Sequence, residues 1–204
     1  MAASWAPRVF SRRMLGDGLL AVPSPGRPTR AAPETLRAAD GVVIAGDTTL
    51  AQGRRRGTIL LFPMAGSNPG EYATITPESA RRGFATLAID QRSGGAAFGR
   101  GNETAARLVR APGYRAALPD LEAARARDSG PVLTWGSSHS AALVFFLAAS
   151  AQPPLPGMLA FSPGEYFSGA RAAVAPVVSV ANSIAGSGMP GCPLALHRAV
   201  LGRA

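Results

Sequence analysis

The chain has no lysine, one cysteine, two histidines and, after Glu165, neither aspartate nor glutamate. Each scarcity closes off a class of function. A lone Cys192 leaves no intramolecular disulfide and no thiolate metal cluster. His139 and His197, with no carboxylates at ligand spacing, do not compose a metal site. No apolar run reaches the length that spans a bilayer. The formal net charge of +9 is carried by arginine alone. The arginines are scattered, as at Arg12 and Arg13, Arg54 to Arg56, and Arg81 and Arg82, and no aromatic residues interleave with them. A base-stacking surface would need that interleaving, so no nucleic-acid partner is expected.

What is present suits a globular domain. The chain has 204 residues, 47% of them hydrophobic, enough for one real core. Residues 1–33 are rich in Pro, Gly and Arg and are expected to form a disordered extension. Within it, Ser11-Arg12-Arg13-Met14-Leu15 loosely resembles a twin-arginine export signal. Gly16, Asp17 and Gly18 interrupt the apolar segment such a signal needs, which favours the cytoplasm over export. Residues 34–182 are predicted to fold. Asp40-Gly41 lies between two short apolar stretches and predicts a hairpin turn. Continuous apolar runs then recur at 58–62, 84–89, 131–135, 157–161 and 176–180. Such runs suit strands buried on both faces of a parallel sheet.

Helical segments are predicted between the runs. One opens at Thr76-Pro77-Glu78 and ends at Gly83, a second covers 114–127, and a third covers 140–150. The third is apolar on every side, as a buried helix is. The sum is an α/β class fold: a doubly wound, mostly parallel sheet with an N-terminal hairpin, short at its C-terminal end. Residues 183–204 read as an irregular tail with a short amphipathic helix around His197. Gly186-Ser-Gly-Met-Pro-Gly191 satisfies a dinucleotide-loop pattern. No βαβ unit fits in the residues that follow, so no nucleotide cofactor is assigned to it. The oligomeric state is not legible.

Chemistry concentrates in Thr134-Trp-Gly-Ser-Ser-His-Ser140, where a strand run meets the apolar helix. Ser138 alone among the serines has glycine two positions before it. Gly136-Ser137-Ser138-His139-Ser140 has the context of a nucleophile elbow. On so tight a strand-to-helix turn, bulky side chains two before and two after the serine would collide with neighbouring backbone. Gly136 satisfies one position and Ser140 is small enough for the other. Ser138 is thus the candidate nucleophile, and the His139 backbone N–H the candidate for half of an oxyanion hole. The His139 ring diverges from Ser138 on such a turn and is expected to line the pocket or pack. The loop Phe62-Pro-Met-Ala-Gly-Ser-Asn68 follows an earlier strand and is placed to supply the other half, through the N–H of Met64 or, next, Ala65.

Gly57-Thr-Ile-Leu-Leu-Phe-Pro-Met-Ala-Gly-Ser-Asn68, Gly83-Phe-Ala-Thr-Leu-Ala-Ile-Asp-Gln-Arg92 and Val132-Leu-Thr-Trp-Gly-Ser-Ser-His-Ser140 together resemble bacterial α/β-hydrolases. Small serine esterases and peptidases akin to dienelactone hydrolase are the nearest group. The likeness runs from Glu34 to Phe167. It implies a cofactor-free hydrolase cleaving esters, thioesters or amides of a small-molecule or peptide acyl substrate through an acyl-enzyme. It also implies that Asp90, in Asp-x-Arg, braces a loop. The chain departs from the family where Pro63 replaces a common histidine, and where serine stands in place of dienelactone hydrolase's cysteine.

The family order is serine, then acid, then histidine. Downstream of Ser138, Glu165 is the only acid and His197 the only histidine, so these two fill the order by elimination. No eighth strand is recognisable between Val180 and His197. The alternative reading is a catalytically impaired pseudo-hydrolase, or a truncated gene product, lacking a working acid–base pair. An oxyanion hole and binding alone would then leave roughly 10³-fold catalysis over water.

Overall fold

The computed structural model describes residues 30–110, 112–164, 166 and 177–180. The candidates Glu165 and His197, the segment 1–29 and the tail 183–204 lie outside these residues.

Seven strands form one sheet in the order β1-β2-β4-β3-β5-β6-β7. β1 (Ala32–Arg37) and β2 (Val43–Thr49) are the N-terminal hairpin, antiparallel to each other, and β2 is antiparallel to β4. Its turn carries Gly41 at φ 85°, a backbone angle that glycine adopts without a Cβ penalty. β1 begins at Ala32, just inside the segment expected to be an extension. β3 (Gly57–Phe62), β4 (Phe84–Ile89), β5 (Val132–Ser137), β6 (Gly157–Phe161) and β7 (Val177–Val180) run parallel.

The apolar runs are explained by burial on both faces. Along β3, Leu60 and Phe62 pack with Leu121, Leu143 and Leu147 on one face. Ile59 and Leu61 pack with Tyr72 and Ala88 on the other. Each such fully buried side chain contributes about 1.5–3 kcal/mol. Helices α3 (Leu118–Ala126) and α4 (His139–Ser150) supply the first face. α1 (Ile75–Arg81) lies against β4, and its Ile75 packs into the second core. Nine of the twelve residues of α4 are buried, which accounts for a helix without a polar side.

The helices differ from expectation at several points. α1 opens at Ile75 rather than at Thr76, so Pro77 falls inside its first turn, where a missing N–H costs nothing. The segment from residue 114 begins as a 3-10 turn, and the α-helix proper starts at Leu118 with Pro119 in its first turn. A short helix α2 (Glu103–Ala106), capped by the Asn102 side chain, went unrecognised. Buried Asp90, at the end of β4, accepts the Glu103 N–H at 2.9 Å and lies 3.7 Å from Arg100. Burial raises the pKa of Asp90.

β3 leads outward to β4, and the chain then returns to β5 on β3's other side. That reversal makes a topological switch point, where the loops after β3 and β5 diverge and leave a crevice at the strands' carboxyl ends. No helix among the described residues is long and apolar enough to cross a membrane.

Candidate functional site

The three serines at the end of β5 have three different fates. Ser137 is buried, and its hydroxyl meets the Tyr72 hydroxyl at 3.1 Å. Ser140 is buried, donates to the Pro63 carbonyl at 2.5 Å and accepts from Gln91 Nε2 at 2.8 Å. Ser138, between them, is half-exposed at the crevice.

Ser138 has φ 53° and ψ −121°, a left-handed conformation that few non-glycine residues adopt. Its N–H donates to the Phe161 carbonyl at 2.9 Å, and its own carbonyl accepts the Ala141 N–H at 3.0 Å. The chain thus passes from strand to helix within one residue. The close pass explains Gly136. A Cβ there would lie 2.4 Å from the Ser140 carbonyl oxygen and 2.7 Å from the Ala141 nitrogen, both backbone atoms that cannot give way.

The Pro63 carbonyl sets the facing loop. It accepts from Ser140 Oγ and, at 2.6 Å, from Gln91 Nε2. In a trans peptide the carbonyl and the following N–H point in opposite directions. Holding the Pro63 carbonyl inward, toward α4, therefore turns the Met64 N–H outward. There it donates to Glu71 Oε2 at 2.9 Å. Asn68 is wholly buried and ties this loop to the next, donating to the carbonyls of Gly95, Ala97 and Arg100. Gly94 fits underneath only because it lacks a side chain: a Cβ would sit 2.3 Å from the Ser67 carbonyl oxygen.

The His139 side chain is buried, with Nε2 3.2 Å from Ser93 Oγ and the ring edge-on to Tyr166 at 6.5 Å. Burial lowers its pKa to about 4, so the imidazole is neutral near pH 7. Among the described residues, the partner of the Ser138 hydroxyl is the Tyr166 hydroxyl, 3.0 Å away. Tyr166 follows β6 in a loop whose Ser162 also has positive φ, 51°.

Beside Ser93 lies a cavity of about 550 Å³, lined by Arg92, Gly94, Ala105, Leu108 and Pro112 among others. Arg92 is pinned there by Asp40 and by buried Asp120. Hydrogen bonding to Asp40 and Asp120 raises its pKa, which keeps it charged and occupied.

Of the residues named from sequence, the structure places Ser138, His139, Met64 and Ala65 at the same end of the sheet, just after the carboxyl ends of the adjacent strands β5 and β3. Sequence reasoning missed Glu71, Gln91, Ser93 and Tyr166. Tyr166 adjoins Glu165, which was singled out, but nothing in Ser162-Pro-Gly-Glu-Tyr166 signals the positive φ that turns the loop.

No family model and no curated protein matches the sequence. Solved structures do resemble the fold. One is a highly thermostable carboxyl esterase from Bacillus coagulans, 16% identical, with a TM-score of 0.53 over 63% of this chain and 43% of that one. Another is the α/β-hydrolase GrgF from Penicillium sp. sh18, 17% identical, with a TM-score of 0.53 over 66% and 46%. A third is the esterase Pf2001 of Pyrococcus furiosus, 15% identical, with a TM-score of 0.53 over 68% and 53%. The chain spans about half the length of these structures. Its fold is α/β-hydrolase-like, with a mostly parallel sheet.

Proposed function

We propose that the chain is a serine hydrolase, of the kind typified by small esterases and peptidases akin to dienelactone hydrolase, acting through an acyl-enzyme on Ser138. The observation that carries the reading is the backbone of Ser138. A strained serine, held between a strand and a buried helix at the sheet's switch point, presents one hydroxyl to a crevice.

In the first step Ser138 Oγ bonds to the substrate's carbonyl carbon and the carbonyl electron pair moves onto oxygen. The N–H groups of Met64 and His139 receive that oxyanion, favoured by the N-terminal end of α4. Collapse of the intermediate expels an alcohol, thiol or amine, and water then releases the acid. The Ser138 proton passes to a base, which hands it to the departing alcohol, thiol or amine, the role we give to His197 with Glu165 as its acid. Tyr166 OH, already on Ser138 Oγ, fixes the hydroxyl's rotamer. The cavity beside Ser93 has room for a small acyl or leaving group.

A fluorophosphonate probe is expected to label the protein at Ser138, and Ser138→Ala to abolish labelling. Turnover of p-nitrophenyl acetate or butyrate is expected to fall by up to roughly 10⁶-fold in His197→Ala. Labelling that survives in Ser138→Ala would overturn the assignment.

A further inference from the structure

Glu71 has no part in the reaction just described, yet its carboxylate occupies a telling place. Oε2 takes the Met64 N–H, the donor assigned to the substrate's carbonyl oxygen. The contact is built in, because Glu71 stands on a 3-10 turn, Pro69–Tyr72, fastened on both sides. Before it, the buried Asn68 side chain accepts the Gly70 N–H at 2.9 Å. After it, the buried Tyr72 hydroxyl donates to the Phe62 carbonyl at 2.8 Å. Among the described residues no arginine forms an ion pair with Glu71.

An entering carbonyl oxygen must displace this carboxylate from the N–H. The turn holds the Glu71 backbone, so the charge can swing aside but stays close to the growing oxyanion. Two negative charges a few ångströms apart repel, even at this exposed rim of the crevice. A neutral ester meets that repulsion in full. A substrate carrying a cationic nitrogen a few bonds from the scissile carbonyl turns it into attraction.

We infer that Glu71 is a specificity-determining residue that selects esters, thioesters or amides bearing a positive charge close to the carbonyl. The inference rests on the reading of Met64 as an oxyanion donor. The test compares isosteric pairs differing only in one charge: acetylthiocholine against S-neohexyl thioacetate, and p-nitrophenyl γ-trimethylammoniobutyrate against its tert-butyl carbon analogue. Each is assayed with the full-length protein and with Glu71→Gln, using Ser138→Ala as the blank.

Glu71→Gln is expected to lower kcat/KM for the charged member of a pair by roughly tenfold and to raise it for the neutral member. Opposite signs are the signature, since loss of a merely structural hydrogen bond would lower both. In the unmodified protein, added salt should shrink the charged-to-neutral ratio. Equal changes for both members, or a ratio indifferent to salt, overturn the role of Glu71 while Ser138-dependent turnover keeps the hydrolase reading intact. Absence of Ser138-dependent turnover with all four substrates overturns both.

Discussion

Replacing Ser138 by glycine and by alanine separates the cost of the turn from the chemistry of the hydroxyl. Both variants delete Oγ and its contact with Tyr166, so they differ only in the Cβ. At φ 53° and ψ −121° that Cβ is strained, a conformation costing about 1–3 kcal/mol in a non-glycine residue. Glycine escapes the strain but gives up about 0.5–1 kcal/mol through the greater freedom of its unfolded chain. Ser138→Gly should therefore be more stable than Ser138→Ala, by about 0.5–2 kcal/mol. In a domain of this size that separates the melting temperatures by about 1–8 °C. Thermal and urea melts of the two variants decide the matter, with both inert to the fluorophosphonate probe. In a helix or strand interior with ordinary backbone angles the order reverses, because there glycine only loses. A glycine variant melting below the alanine variant would refute the strained turn, and the nucleophile assignment would lose its main support.

His139 should leave a signature in acid. Its pKa falls from 6.5 to about 4 on burial, so between these values the unfolded chain binds a proton that the folded chain refuses. Stability is then full above pH 6.5 and declines as the pH drops, by about 1.4 kcal/mol per unit and about 3 kcal/mol in all by pH 4. Urea melts across this window should show that decline reduced in His139→Gln, and identical slopes for the two proteins would contradict it. Gly136→Ala should destabilise the fold by about 1–3 kcal/mol, since the new Cβ meets the backbone of Ser140 and Ala141. A melt unchanged from the parent would show that α4 can shift away.

The sheet was legible because burial on both faces writes itself as an unbroken apolar run, and β4 and β6 occupy the predicted residues. The hairpin was legible through Asp40-Gly41, and α4 through its lack of a polar side. α2 was not, because four residues fixed by the Asn102 cap and by Asp90 carry no periodicity. The onset of α1 misled because Thr76-Pro77 has the look of a cap, whereas the N-cap position falls at Thr74, which makes no side-chain cap bond. In the site, Ser138 could be read because the steric demand of a tight turn leaves its mark on the flanking residues. Glu71 and Tyr166 could not, because what makes them neighbours of Met64 and Ser138 is tertiary: a 3-10 turn held by Asn68 and Tyr72, and a loop bent at Ser162.

A strained residue persists only where its surroundings leave it no alternative. Ser138 is fixed from four directions. Its N–H is held by Phe161, Ser137 before it by Tyr72, His139 after it by burial against Ser93, and Ser140 by Pro63 and Gln91. None of these ties uses the Ser138 side chain. Glycine would satisfy every one of them without the backbone strain, and of the contacts around the turn it would lose only the one from Oγ to Tyr166. The last tie supplies a reason for a hydroxyl at this position. The Ser140–Pro63 bond that fixes the helix entry also orients the Met64 N–H, and so couples the placement of the hydroxyl to the placement of a hydrogen-bond donor across the crevice. A nucleophile and its oxyanion donor need that registration to a fraction of an ångström. A turn serving only to join β5 to α4 needs none of it.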